Sequence, residues 1–592
     1  MLTMEPELQQ EQQDKVSRLI LWLETNRVQL RVSTIKKSET RQAGLGVFAR
    51  CCTSEGVLMV TPLHLAITPM SVLQDPEFGN LYAKLFELGE VDDRLLMILF
   101  LMVERVRGSS SLWASYLDVL PADFGTPLWF TDEELEELHG TALYNATRMQ
   151  LKNLRALFAN KVKPFAEEML SSVGVLEREI DFEVFLWANS IFWTRALNIP
   201  CPHSFVFPKQ NLIGNNVDSE QCAPEPLGNG TILVNQESGL SVPRQGFQSL
   251  SESDSVKLCS FGDSIIEEMV DAPGCRNITD TIWVEGLVPG IDFCNHDPRG
   301  KSHWEVDGPE GPITGVPYSM YLKTEQPLST DDEILISYGN KGNEELFFLY
   351  GFVIDDNPDD YFMVHFPSEA LDKDPFGEVK SELLQKQNLT LRWLLARNFL
   401  QNGLFSSQRC KSPEALILDG KRCLGTFSWS GVRKPPSFLN QCVFPEETLA
   451  ALRVIAMKER ELQDVSCMLE ELSQSRSKEP PTKDDVAAAV WEVCGNSRAL
   501  QLLTDLIVSK LLELEEGTGT AKSDQEILLR YEAQENPSMS EKMKSCVIYR
   551  MGQKYLAKEF LHEAERLLEL TIIEETAVGH EIHGYLAPTY RD

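Results

Sequence analysis

Two short stretches of this chain hold the side chains best suited to chemistry. In the first, Gly286–Pro298, the chain turns at Pro289 and Gly290 and then sets Asp292, Asn295 and His296 within a few positions. That polar group is too dense for an ordinary buried strand, although a lone histidine there is more often a satisfied structural residue. In the second, Glu333–Tyr338 alternates like a strand, breaks at Gly339 and resumes as an amphipathic segment from Asn343 to Tyr350. A phenol at the end of a strand, here Tyr338, can orient reacting groups through its oxygen. Without further context, a tyrosine before a glycine at a strand end is a half-buried packing residue.

These residues resemble those of the SET-domain protein methyltransferases, which move a methyl group from S-adenosylmethionine to a protein side chain. The resemblance rests on Asn295-His296, on Tyr338 within Ile336–Gly339, and on Asn343-Glu344-Glu345-Leu346 leading to Tyr350-Gly351-Phe352. Gly44-Leu45-Gly46 upstream and a helical C-terminal region extend it to the subfamily of the plant Rubisco large-subunit lysine methyltransferase and the animal actin-histidine methyltransferase.

The resemblance implies S-adenosyl-L-methionine as cofactor, no metal, and Tyr338 as the catalytic residue. It assigns Gly44, Leu45, Gly46, Arg195, Asn295, His296 and Phe352 to the cofactor: the glycines by letting backbone groups approach, Asn295 through its amide, His296 largely through its main chain, and Phe352 against the adenine. Asp292 and Tyr350 fall to the substrate, Tyr350 lining the amine pocket and Asp292 orienting its loop or contacting the amine. Read from residues alone, Gly44 and Gly46 suit any tight turn, and Arg195 is a helix C-terminal charge.

Methyl transfer from a sulfonium needs an uncharged nucleophile, and a lysine of pKa ~10.4 is protonated in all but about one in 10³ molecules at neutral pH. A narrow apolar channel and the nearby positive sulfur would help strip that proton. Phe293, Ile334 and Ile336 are candidates to line such a channel, and core packing explains them equally well. The resemblance implies lysine methylation, and of a non-histone protein, because the cysteine-rich segment that many histone-directed members carry after the catalytic tyrosine does not follow Tyr338 or Tyr350. Histidine methylation is the rival within the enzyme class, with Tyr350 favouring lysine; a catalytically idle SET scaffold is the rival outside it.

Composition narrows the partners. Lys+Arg 55 against Asp+Glu 89 leaves a net charge of −34 over 592 residues, which repels phosphate backbones and anionic membrane faces. The expected partner is a protein substrate with a basic or lysine-bearing exposed segment, met by a monomer, with no direct nucleic acid and no membrane. The 13 cysteines include no C-x-x-C pair, so spacing points to neither a zinc site nor a disulfide framework. The acidic first residues fit neither a signal nor a transit peptide, and the apolar run Leu95–Val103 is too short to span a bilayer. The chain is expected to be soluble and intracellular, cytoplasmic or nuclear, with a chloroplast left open by the resemblance.

The elements that must position these residues read as an α+β fold: a β-rich SET domain interrupted by a helical insert and followed by an all-α C-terminal substrate-binding domain. An N-terminal helix occupies 1–27, with Val16, Leu19, Ile20 and Leu23 on one face. The SET domain begins at 28–74, with strands over Val28–Val32 and Gly46–Ala49. A helical insert fills 75–200, with Leu81, Leu85 and Leu88 on a buried stripe, a capping box at Thr131–Glu134 beside a Phe130–Leu135 staple, and an amphipathic helix at Trp187–Thr194. Residues 201–283 are polar and expected to be a disordered insertion; 284–366 complete the SET domain. In the substrate-binding domain, 367–592, helices are expected over Leu383–Leu400, Glu446–Glu471, Lys483–Glu515 and Ser538–Leu570. Tyr549–Lys554 there matches an R-x-G-x-K element of the Rubisco enzyme.

Overall fold

The computed structural model describes residues 6–38, 44–172, 180–207, 281–405, 442–475, 480–533 and 539–585. It opens with helix α1 (Pro6–Thr25), which buries Val16, Leu19 and Leu23 as their spacing predicts. Trp22 of α1 stacks on Tyr116, ring centroids 6.2 Å apart, and so seats the helix on the insert. The strand expected at Val28–Val32 lies further on. Arg27 and Arg31 take φ of 67° and 46°, a conformation a strand cannot accommodate, so only Gln29 bridges to Val60. Regular pairing starts at Ser33, where β1 (Ser33–Lys37) runs antiparallel to β2 (Leu45–Ala49). Next comes β3 (Gly56–Pro62).

The insert follows as a series of helices. In Gly79–Glu87, Tyr82 takes the core position. Leu88, expected on the buried stripe, is 66% exposed, because the helix ends there and Gly89 turns away at φ 69°. Helix α2 (Asp93–Arg107) is capped by the Asp92 side chain and buries every residue from Leu96 to Glu104. The capping box at Thr131 forms with both of its hydrogen bonds, and Leu135 is buried with Phe130 packed beside it. After α3 (Ala142–Leu157) comes α4 (Phe182–Arg195), which is not amphipathic: Phe185 through Phe192 are all buried, since α4 lies between α2 and the turn Leu346–Tyr350.

Strand β4 (Leu197–Pro202) pairs antiparallel with β5 (Thr281–Gly286), from Leu197↔Gly286 to Pro202↔Thr281. The insertion expected at 201–283 therefore begins and ends inside a strand pair, with Ile199 and Cys201 buried on one face; its remainder, 208–280, lies outside the described residues. Strands β6 (Ser302–Val306) and β7 (Ser319–Thr324) complete a sheet of order β3-β7-β6.

In the C-terminal part, β8 (Tyr361–His365) pairs with β9 (Arg392–Ala396). The helix expected over Leu383–Leu400 is in fact α5 (Gly377–Lys386), a turn at Asn388 with φ 53°, and β9. The strand shows the period of two that separates it from a helix, with Trp393 and Leu395 buried and Leu394 39% exposed. The other expected helices are subdivided: α6 (Glu446–Ala456) and α7 (Glu459–Ser475) part at Met457, and α8 (Lys483–Val493) and α9 (Asn496–Glu515) part at Cys494-Gly495. Helix α10 (Ala521–Glu532) precedes α11 (Glu541–Tyr585).

One hydrophobic core unites strands β1–β4 and β7 with α1, α2 and α4, and a second fills the C-terminal part. A third, small one joins them: Leu135, Leu138 and Leu143 of the insert, Phe347 beside the site, and Cys546 and Tyr549 of α11. Charge reinforces this joint. Arg550 donates Nη1 to the Glu137 carbonyl at 2.9 Å and Nε to Asp524 Oδ1 at 2.9 Å, and Lys554 donates to Asp524 Oδ2 at 2.6 Å. The element Tyr549–Lys554 is thus mostly buried and holds the two parts of the chain together. It is not an outward binding face.

Candidate active site

The site is built where three stretches, 292–297, 333–338 and 343–352, pass one another. Ile336 donates its amide to the Asn295 carbonyl and accepts from the Asp297 amide, both at 3.0 Å. The stretch 333–338, expected as a strand, makes only single bridges to Phe48, His296 and Ser302. Its alternation holds, because Ile334 and Ile336 point into the core together with Phe293. All three pack rather than line a channel.

At one end, Asn295 Nδ2 donates to Glu333 Oε1 at 2.6 Å and to the Leu45 carbonyl at 3.3 Å. Ser38 Oγ donates to the other Glu333 oxygen at 2.9 Å. A Cβ on Gly46 would sit 2.4 Å from Glu333 Oε1 and 3.2 Å from Asn295 Nδ2, whereas one on Gly44 would meet nothing within 4 Å. Gly46 is small so that the Asn295–Glu333 pair can lie against β2, while Gly44 leaves open space beside Leu45. A cavity of about 520 Å³, lined in part by Asp297, Arg299, Glu333, Ile354 and Asp356, opens alongside.

In the middle stands an aromatic cluster. The Tyr338 ring lies 4.9 Å from His296, stacked at 30°, and 4.9 Å from Tyr350; Phe352 is 5.9 Å from His296. The Tyr338 hydroxyl donates to the Cys294 carbonyl at 2.8 Å, and its amide donates to His296 Nδ1 at 3.0 Å. That second bond makes Nδ1 the acceptor and leaves the ring proton on Nε2. Tyr338 and Tyr350 are partly exposed, and burial, helped by Glu345, pushes the Tyr350 phenol up to about 12, so it stays protonated.

At the other end, Asp292 is fully tied down. Its Oδ2 accepts from the Tyr116 hydroxyl at 2.6 Å, its Oδ1 accepts from the Gly290 amide at 3.1 Å, and Arg195 lies 3.6 Å away. Burial raises the Asp292 pKa, while Arg195 and Tyr116 oppose that rise. The carboxylate has no exposed side-chain surface, and its bonds to Gly290 and Tyr116 tie down the loop that carries it. Arg195 donates Nη1 to the Asp292 carbonyl at 2.9 Å and lies over the Phe293 ring, and its Nε is buried without a partner.

Tyr116, Glu333 and the Cys294 carbonyl were missed by sequence reasoning. Tyr116 sits far from Asp292 in the chain, among aromatics that read as core, and a main-chain carbonyl leaves no signature. Glu333 had a signal, as a carboxylate in a strand-like run whose neighbours Ile334 and Ile336 are apolar.

A family profile described as Rubisco LSMT substrate-binding matches residues 372–556. The solved structures of Rubisco LSMT bound to AdoMet and of the SET domain of LSMT bound to lysine and AdoHcy superpose with TM-scores of 0.54 and 0.56. They are 17% and 16% identical and cover 94% of this chain and 92% and 93% of theirs. The chain shares the fold of these two structures. Among curated relatives, the ribosomal lysine N-methyltransferase set10 of Schizosaccharomyces pombe is 22% identical over 44% of this chain and 31% of its own length. The actin-histidine N-methyltransferase of Drosophila melanogaster is 24% identical over 54% and 47%. The Rubisco large subunit N-methyltransferase of Pisum sativum is 27% identical over 35% and 41%. The chain thus spans less than half the length of each of these relatives. The profile match covers α5 to α10, β9 and the start of α11, and the three crossing stretches lie before it.

Proposed function

We propose that this chain is an S-adenosylmethionine-dependent protein-lysine N-methyltransferase acting on a non-histone protein. The observation that carries the reading is the tie of Tyr338 to the Cys294–His296 segment, with Tyr350 and Phe352 packed beside it and against each other. Such a cluster costs free energy in an idle protein, since it leaves aromatic rings half exposed around a fixed phenol.

The residues present fit the cofactor. The half-buried ring of Phe352 suits an adenine, Gly44 offers backbone without a Cβ for close approach, and the orphaned Arg195 Nε is a buried donor in want of an anion such as the methionyl carboxylate. When bound, the cofactor supplies an electrophilic methyl on a positive sulfur. Tyr338 would orient the incoming amine by its oxygen, and Tyr350, uncharged at neutral pH, would wall the amine pocket without giving the ammonium a counter-ion. Asn295 would fix the loop through Glu333, and Asp292 would hold Arg195 in place.

Histidine methylation remains the second reading, because actin-histidine N-methyltransferases are among the relatives; Tyr350 favours lysine. The substrate-binding profile match supports a protein substrate, and the charge of −34 favours a basic segment on it. No helix among the described residues is long and apolar enough to cross a membrane. The test is to incubate the purified chain with methyl-labelled cofactor and a cell lysate and to locate the label by mass spectrometry. Label on lysine supports the reading, label on histidine selects the second, and no label with wild-type protein but measurable cofactor binding favours a scaffold.

A further inference from the structure

The site is gripped from outside at one point. Glu344 lies in the middle of the helical turn Asn343–Glu345, which runs into the π-helical turn Leu346–Tyr350. Tyr549, on α11 of the C-terminal part, donates its hydroxyl to Glu344 Oε2 at 3.1 Å inside the small joining core. One turn on from Glu344, Phe347 packs its ring 6.0 Å from Tyr549 and 5.8 Å from Phe130. Beside them, Asn343 accepts from the Ile354 amide and donates to the Ile354 carbonyl, while Gln553, one turn along α11, donates to the Tyr361 carbonyl at 3.0 Å. Tyr350 and Phe352 therefore stand on a segment whose start is held by the helix that seats the C-terminal part.

We propose that Tyr549 is a positioning residue for Tyr350: through Glu344 it sets the turn that carries Tyr350, so the seating of the C-terminal part is felt in the amine pocket. This rests on the lysine-methyltransferase reading. Single π-helical turns are rare and frequent at functional sites, and a shift near 1 Å at a pocket wall can cost about 10²-fold in rate. Burial pushes Glu344 up to about 7, with Tyr549 lowering it and Asp360 raising it. The other charged or titratable groups facing it are Lys510 of α9, Glu345 on its own turn and Tyr361 of β8. The grip thus changes charge near neutral pH.

The test uses the full chain labelled with 3-fluorotyrosine, the Tyr350 ¹⁹F resonance being assigned by its loss in Tyr350→Phe. In the wild type that resonance should titrate with a midpoint near pH 7, and in Glu344→Gln, which keeps an acceptor for Tyr549, it should not. In Tyr549→Phe the resonance should move, and kcat on a lysine peptide should fall about 10- to 100-fold at temperatures well below melting, with cofactor Kd unchanged. A folded Tyr549→Phe with an unmoved Tyr350 resonance and unchanged kcat overturns the proposal. If that variant does not fold, Glu344→Gln decides: a Tyr350 resonance that still titrates near pH 7 overturns it equally. If the wild type methylates nothing, the lysine reading fails while the fluorine result still decides the coupling.

Discussion

The Tyr338 hydroxyl donates to the Cys294 carbonyl at 2.8 Å, across a gap in sequence that only the crossing of two stretches can close. The bond fixes where the phenol oxygen stands. Tyr338→Phe removes that oxygen and keeps the ring stacked on His296, so cofactor affinity should stay within a few-fold while methyl transfer falls by about 10² or more. Calorimetry for binding and single-turnover kinetics for transfer separate the two. Unchanged transfer would remove Tyr338 from the mechanism.

Asn295→Ala should act in the opposite way. It leaves Glu333 without its 2.6 Å donor and frees the Leu45 carbonyl, so cofactor binding should weaken by about 1–3 kcal/mol with a smaller effect on the transfer step. Wild-type affinity by calorimetry would sink the assignment.

Gly46→Ala tests the same pair from the other side. The new Cβ would lie 2.4 Å from Glu333 Oε1, the end of a side chain that can swing away only by leaving Asn295. Its cost in cofactor affinity should therefore overlap that of Asn295→Ala, and the double variant should bind about as weakly as the worse single one. Additive losses would mean that Gly46 and Asn295 act separately.

The motif residues were legible because each is a costly choice at its position: a polar cluster behind a turn, a tyrosine at a strand end, two glycines around one leucine. Their partners were not. Tyr116 reads as one more core aromatic until Asp292 is placed against it, and the motif match at Tyr549–Lys554 gives no sign that Tyr549 meets Glu344. The same periodicity misled at Leu383–Leu400, where the apolar residues also fit a strand and the turn is made by Asn388, whose left-handed φ of 53° a sequence does not announce. The helix break at Met457 was likewise hidden, since methionine forbids no helix, whereas the one at Cys494-Gly495 carried a glycine as its signal. The fold class was accessible because long helices and short alternating runs are segregated along the chain.

The buried Glu344 gives stability a pH signature. Its folded pKa of about 7 lies above the ordinary 4.5, so between those values the folded chain holds the proton more tightly than the unfolded one. Stability from this group is present below pH 4.5 and is lost as pH rises towards 7, by about 3 kcal/mol in all. Glu344→Gln should escape that loss. The stability difference between variant and wild type, from urea unfolding at a series of pH values, should grow in the variant's favour from pH 4.5 to 7 and then level off. A difference that does not depend on pH would show that Glu344 does not titrate there.

The ion cluster under the joint offers a ranking that distinguishes a structural seat from a surface contact. Asp524, with no exposed side-chain surface, stands between Arg550 and Lys554, which expose 3% and 0% of theirs. Asp524→Ala leaves two buried cations facing each other, Arg550 keeping Glu137 and Lys554 keeping only the Thr518 hydroxyl at 2.9 Å. Breaking a buried pair in this way costs about 3–5 kcal/mol. Lys554→Met, by contrast, removes a cation whose burial is itself unfavourable, as its lowered pKa records, and leaves Asp524 paired with Arg550. It should cost clearly less. Urea unfolding of the full chain, followed by helical signal, should therefore place Asp524→Ala well below Lys554→Met, with Lys554→Met nearest the wild type. The reverse order, or two equal and small losses, would mean that α11 is held by its apolar contacts at Phe347, Cys546 and Tyr549 and that the ion cluster adds nothing to the joint.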